Sequence, residues 1–320
     1  MQKSNSSLDL LGVPEKLRYN SELLRMLLKQ RRDVDCTWLA EVFAEYDKYC
    51  RKFVGKPLKE CRAVEIGFGA RPFRFFFLLT MGVDVYGVDL DAPLIKMSLS
   101  DLNGIRKNNG LERAVKSFAR WLVVQRKQYE ELARFCAKHS DRDIRSFDDI
   151  IVRAQGRLIV SDAGSKEFWS RFNEPLQFIY SEDVFEHLPP DTLDCVLQRI
   201  WEHLAPTGVA MIRPCIFSGI TGGHQLEWYA YRLVDRAITR RSEPWDHLRQ
   251  NRFPANTYLN RLLRRDYRAK FSQRFDIVEE VVLLPDLGRE YFAPSIAEEL
   301  GQYPDEELFS NQVLFVLKRK

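Results

Sequence analysis

The chain has 320 residues, 45% hydrophobic and 29% charged, the balance of a globular α/β enzyme with a large core. Its formal net charge of +4 is too mild for the dense basic stripe of a nucleic-acid binder. No apolar run approaches the roughly 20 residues needed to span a bilayer, and the opening MQKSNSSLDLLG has no apolar signal core. The six cysteines form no C-x-x-C pair, which speaks against a zinc or redox motif and suits a reducing cytoplasm, the expected location.

Residues 1–57 read as an N-terminal helical region. Apolar residues recur at i, i+3 and i+4 over 17–29 and again over 38–53, until Gly55-Lys56-Pro57 breaks the pattern. A short apolar strand follows at 63–66, then Gly67-Phe68-Gly69, a helix from 72 to about 81 ended by Gly82, and a second strand at 83–88. Strand, glycine turn, helix, strand is the opening of a parallel doubly wound sheet. Residues 93–155 read as a long charged helical insertion. Strands resume at 157–160 and 176–180. A helix at 189–204 is expected to stop at Pro206-Thr207-Gly208, before a strand at 209–212. Residues 217–272 form a second excursion, read as a helical lid over the substrate. Its basic stretch, 261–270, is expected to be the solvated face of an amphipathic helix. Residues 275–284 and 311–318 alternate apolar and polar positions, as strands do. The Rossmann-like core therefore spans 58–216 and 273–320.

Glu65-Ile66-Gly67-Phe68-Gly69-Ala70-Arg71 is the first chemical feature. A strand running through glycines into a helix lets the backbone approach a ligand closely. A dinucleotide fingerprint wants a third glycine, and Arg71 stands there instead. The acid before the glycines suits a ligand with a cationic amino group and a sulfonium rather than phosphates. Asp89 ends the second strand about 20 residues on, where a carboxylate can accept both ribose hydroxyls; helix capping is its other reading, for which Asp91 is the better candidate. Asp162, in Ser161-Asp162-Ala163, could accept from an adenine amino group or simply close a turn.

Phe178-Ile179-Tyr180-Ser181-Glu182-Asp183-Val184-Phe185-Glu186-His187-Leu188, together with Leu204-Ala205-Pro206-Thr207-Gly208, resembles the class I S-adenosylmethionine (SAM)-dependent methyltransferases. The likeness is to their "EHL" branch, grouped as methyltransferase types 11 and 23, and in particular to those that modify bacterial sugars and glycans. The resemblance implies an α/β fold with a Rossmann-like seven-stranded sheet, helices on both faces, and SAM as cofactor. It implies that Glu65, Gly67 and Gly69 line the methionine part and that Asp89 holds the ribose, with Arg71 and Leu90 also counted among the cofactor-binding residues. Asp162 and Ala163 would contact adenine, and Ser181 and Glu182 would stand beside the methyl group. Gln177, where the family often has Asp, Arg71 and the long insertion depart from the pattern. His187 reads as a packing and hydrogen-bonding residue, and His203 as a residue near a helix C-terminus.

Methyl transfer to a hydroxyl calls for a base. His224, in the glycine-rich segment 218–229, is the candidate, with Glu227 orienting it or the substrate if a helix puts both on one face. A loop residue that merely packs is the other reading. Gly222 and Gly223 would let this loop approach a ligand. Trp228, Tyr229 and Tyr231 offer flat surfaces for a sugar or aromatic ring; Arg213, Arg240, Arg241, His247 and Arg249 could hold an anionic acceptor, with surface solvation the expected role of most of them. The expected reaction is methylation of a small molecule, a hydroxyl of a sugar or glycan precursor, with no nucleic acid, no membrane span and no metal. The alternatives are an N-methyltransferase or aromatic O-methyltransferase on the same core, a nicotinamide-dependent oxidoreductase, and a non-catalytic nucleotide-binding protein.

Overall fold

The computed structural model describes residues 34–233, 240, 242–252 and 258–320, preceded by Pro14, Arg18, 20–22, Leu24, Arg25 and Leu28. The helix expected over 17–29 lies partly outside the described residues; those described within it are helical.

Seven strands form one sheet: β1 (Arg62–Ile66), β2 (Asp84–Asp89), β3 (Leu158–Val160), β4 (Leu176–Glu182), β5 (Leu204–Arg213), β6 (Phe275–Val282) and β7 (Val313–Arg319). Their order is β3-β2-β1-β4-β5-β7-β6. β2 pairs with β3, and β1 with β2 and β4, all parallel, whereas β6 and β7 pair antiparallel. This is the seven-stranded, Rossmann-like sheet that the resemblance implied. The helices of eight or more residues are α1 (Trp38–Tyr49), α2 (Phe73–Thr80), α3 (Leu99–Asn109), α4 (Leu111–Arg120), α5 (Arg126–His139), α6 (Phe147–Ala154), α7 (Pro190–His203) and α8 (Arg264–Phe271).

The chain divides into two compact units, one made of 20–180 with 202–210, the other chiefly of 181–201 with 211–320. In the first, α2 is apolar nearly all round, and Phe75, Phe76 and Phe77 are all buried. A helix with no polar face must be covered on every side. Rings from the charged insertion do part of this: Phe147 meets Phe76 edge-on at 5.2 Å, and Phe135 meets Phe77 at 5.4 Å. Tyr129 stacks on Phe147 at 4.2 Å.

Pro206-Thr207-Gly208 does not interrupt the chain as expected. α7 ends at His203 and β5 begins at once with Leu204. Pro206 and Thr207 take exposed positions in the strand, where a missing N–H is tolerated. Gly208 is needed because a Cβ there would come within 2.9 Å of the Leu176 carbonyl oxygen.

In the second unit the basic stretch 261–270 is not simply a solvated face. In α8, Tyr267 and Phe271 are buried, with Phe271 packed on Phe315 of β7 at 5.0 Å. Arg264 and Arg268 both pair with Glu280, and Lys270 pairs with Asp194 at 2.8 Å. Arg261 and Arg265 of the same stretch are exposed.

Candidate active site

In the first unit, β1 delivers Glu65 to the sheet's C-terminal edge and the chain turns sharply through Gly67 (φ 81°) and Gly69 (φ 68°). Only glycine adopts this left-handed backbone without cost. The Gly69 N–H donates to Asp89 Oδ2 at 2.6 Å, the Asp91 N–H to Asp89 Oδ1 at 2.8 Å, and the Gly67 N–H to the Val88 carbonyl at 2.7 Å. Glycine turn and acid are thus one hydrogen-bonded unit. Burial lifts the Asp89 carboxyl above its ordinary pKa, and the two N–H donors offset part of the rise. A Cβ on Gly69 would meet nothing within 4 Å, so the turn borders open space. Leu90 beside it is 60% exposed.

Glu65 is buried, with Arg74 Nε 3.3 Å from one carboxylate oxygen and the Tyr180 hydroxyl donating to the other at 3.1 Å. Tyr180 lies opposite Glu65 in the β1–β4 register. Sequence reading did not single out either partner, because strand register across more than a hundred residues is not a local property. Arg71 donates to Gln128 Oε1 at 3.2 Å. Asp162 Oδ1 accepts the Gly164 N–H at 2.7 Å, the geometry of the turn reading, while the Ala163 carbonyl accepts from Trp169 Nε1. Asp91 is not the helix cap it was expected to be. Ser98 caps α3, and Asp91 instead binds Asn109 Nδ2 at 2.8 Å and Arg113.

In the second unit, Ser181 is buried and Glu182 pairs with Arg213 at 3.4 Å. The chain then turns through Asp183 (φ 55°) into a single 3-10 turn, Phe185–His187. This turn presents Glu186 and His187 toward His224. His224 itself has a φ of 51°, uncommon for a side-chain-bearing residue. Its Nε2 stands 4.0 Å from Glu186 Oε1, and its ring meets that of His187 edge-on at 5.0 Å. His187 Nδ1 is 2.9 Å from the Tyr258 carbonyl oxygen, the hydrogen bond expected of it. Asn260 braces the turn, its Nδ2 donating to the Phe185 carbonyl at 2.7 Å and the Leu188 carbonyl at 3.1 Å. Burial raises the Glu186 carboxyl well above the usual range, and Asp183 adds to it. Burial, with His187 and His247, pushes His224 down to about 3.

Several acceptor-side expectations are corrected. Glu227 does not face His224. The helical turn starts only at Leu226, and the Glu227 carboxylate is occupied by Ser242, whose N–H donates at 2.7 Å and whose hydroxyl also donates. The carboxyl group beside His224 is that of Glu186. Trp228 offers no open surface, being 2% exposed in a cluster with Ile220 and Trp245. Tyr229 and Tyr231 do stack, at 5.9 Å, with Tyr231 56% exposed. Gly222 and Gly223 serve close packing rather than ligand approach: Cβ atoms there would meet the Phe217 carbonyl oxygen at 2.2 Å and the His247 ring at 2.7 Å. Arg249 is held by Glu299, and Arg240 lies over the rings of Trp228 and Tyr291. Arg241 is outside the described residues. Against the expectation of no metal, one ligand atom from each of Glu186, His187 and His224 lies within 4.8 Å of the others.

No family model and no curated protein matches the chain. Solved structures do. A protein of Pyrococcus horikoshii is 14% identical, with 91% of this chain and 95% of that one covered and a TM-score of 0.44. A SAM-dependent methyltransferase of Clostridium acetobutylicum is 12% identical over 94% and 98% of the two chains, at 0.42. A glycopeptide N-methyltransferase complexed with S-adenosyl-L-homocysteine is 13% identical over 87% and 90%, at 0.38.

Proposed function

We propose that the chain is a SAM-dependent methyltransferase of a small molecule, and that the acceptor is a hydroxyl of a sugar or glycan precursor. The observation that carries this is the turn after β1, locked to Asp89 and preceded by buried Glu65. A pyrophosphate would find the Gly69 N–H already engaged by the Asp89 carboxyl group. A ligand bearing a cationic amino group and a sulfonium is favoured by that acid. In this reading Glu65, Gly67 and Gly69 hold the methionine part, Asp89 the ribose, and Asp162 and Ala163 the adenine, with Arg71 and Leu90 also at the cofactor. Ser181 and Glu182 serve the methyl end. The protein's task is alignment, holding the acceptor oxygen about 3 to 3.5 Å from the methyl carbon, since the sulfonium is already activated.

Tyr231, exposed and stacked on the partly buried Tyr229, supports a ring-bearing acceptor. His224 remains the group assigned to the acceptor, but a general base works best with a pKa near the ambient pH. At about 3, His224 is a neutral imidazole and a poor match for a hydroxyl proton. Six free thiols suit a cytoplasmic location, and among the described residues no helix is long and apolar enough to cross a membrane.

Calorimetric titration with S-adenosylhomocysteine and, separately, NAD tests the proposal. Saturable binding of the first and none of the second is expected. Indifference to S-adenosylhomocysteine at millimolar concentration overturns it.

A further inference from the structure

We propose that Glu186, His187 and His224 bind one divalent first-row transition ion, of which Zn2+ is the probe. One ligand atom from each of the three lies within 4.8 Å of the others.

The first argument is Glu186. Its residue is 4% exposed, and neither carboxyl oxygen has a hydrogen-bond partner. The N–H groups of Glu186 itself and Cys215 face it without reaching hydrogen-bond geometry. An unpartnered buried carboxyl group costs stability that a bound cation recovers. Asp183 adds negative potential at the same place.

The second argument is the tautomer of His187. A carbonyl oxygen can only accept, so the 2.9 Å contact with Tyr258 puts the proton on Nδ1 and leaves the Nε2 lone pair free. An imidazole oriented by a backbone carbonyl on its other nitrogen is the usual support of a metal-bound histidine. Asn260 fixes the backbone of the same turn from both sides, donating to the Phe185 and Leu188 carbonyls.

The third is His224. Its left-handed backbone is uncommon for a side-chain-bearing residue, and its Nε2 stands 4.0 Å from Glu186 Oε1. That distance is too long for a hydrogen bond. Two ligand atoms each about 2.0 to 2.2 Å from a tetrahedral ion stand roughly 3.3 to 3.6 Å apart, so a small side-chain rotation closes the site. Two imidazoles and one carboxylate favour zinc, iron, cobalt or nickel over the oxygen-seeking magnesium and calcium. Three protein ligands leave a coordination position open, the mark of a catalytic rather than a structural site.

The role of the ion rests on the methyltransferase reading; its binding does not. An acceptor hydroxyl in the open position would be acidified by the ion. Its proton passes to water, its oxygen forms the bond to the methyl carbon, and the carbon–sulfur bond breaks to leave a neutral thioether. No side chain of ordinary basicity is then required.

The test is to strip the purified protein with a chelator, dialyse it against Zn2+ or Mg2+, and measure retained metal by mass spectrometry. One Zn2+ per folded chain, little Mg2+, and at least tenfold weaker Zn2+ retention in both Glu186→Gln and His224→Ala are expected. Absence of Zn2+ from the folded native chain, or retention that survives both substitutions, overturns the proposal. X-ray absorption at the zinc edge of the loaded native protein needs no variant: imidazole scattering in the first shell is expected, and its absence overturns the assignment. Titration of the native chain with S-adenosylhomocysteine is read separately. Failure there removes the cofactor reading and leaves the metal result standing.

Discussion

The Gly69 N–H and the Asp89 carboxylate are joined at 2.6 Å, so the turn that follows β1 and the acid that ends β2 cannot move independently. Whatever binds over the turn must deal with that acid.

Asp89→Ala removes the acceptor of two backbone N–H groups and the proposed partner of the ribose. Hydrogen bonds to a charged group are worth about 1.5 to 3 kcal/mol each. The affinity for S-adenosylhomocysteine should fall at least tenfold by calorimetry, and an unchanged Kd would take Asp89 out of the ribose role.

Asp89 should also make cofactor affinity pH-dependent. Its pKa is raised by burial, so its carboxylate protonates at a higher pH than an ordinary aspartate. The proton is bound more tightly in the folded chain than in the unfolded one, and protonation withdraws the ribose acceptor. Affinity is therefore full at neutral pH and weakens as pH falls through that raised value. Titrations between pH 7 and pH 4 should show the decline in the native chain and a flat profile in Asp89→Asn.

Two glycine substitutions should separate strain from collision. At Gly69 an added Cβ meets nothing within 4 Å, so Gly69→Ala pays only for its φ of 68°, roughly 1 to 2 kcal/mol. At Gly223 the new atom would come within 2.7 Å of the buried His247 side chain, and Gly223→Ala must displace it. Denaturant unfolding should rank Gly223→Ala as the less stable of the two; the reverse order would contradict the packing described.

Asn260→Ala leaves the Phe185 and Leu188 carbonyls without their side-chain donor. A loss of about 1 to 3 kcal/mol in unfolding free energy is expected. Wild-type stability in this variant would show that the turn carrying Glu186 and His187 is held by other contacts.

Asp84 governs part of the acid stability. Burial opposes its ionisation, but hydrogen bonds from Arg157 and Arg62 outweigh burial and hold the carboxyl below its ordinary value. A depressed acid contributes stability above its unfolded pKa and loses it as pH falls toward the folded one. Asp84 is partly solvent-exposed, so the contribution is about 1 kcal/mol or less. Asp84→Asn should be slightly less stable than the native chain at pH 7, and the two should converge once pH falls below the depressed Asp84 value.

The sequence alone determined the order of elements, because strand and helix periodicity, glycine turns and acid positions are local and short-ranged. Those features placed Glu65, the glycine turn and Asp89 at the end of adjacent strands, and they were enough for a parallel sheet. Local rules failed where distant packing overrides them. Pro206-Thr207-Gly208 reads as a break, yet it continues β5 because its outer side is exposed and its inner side is pressed against Leu176. Trp228 and Glu227 looked free to serve a substrate, but which way a three-residue turn faces is decided by the core it packs on, here Ile220 and Trp245. Only the tertiary structure set Glu186 and His187 beside His224. They come from separate loops, and no spacing rule reports which side chains of two loops converge, since that depends on how strand ends are paired and twisted across the sheet.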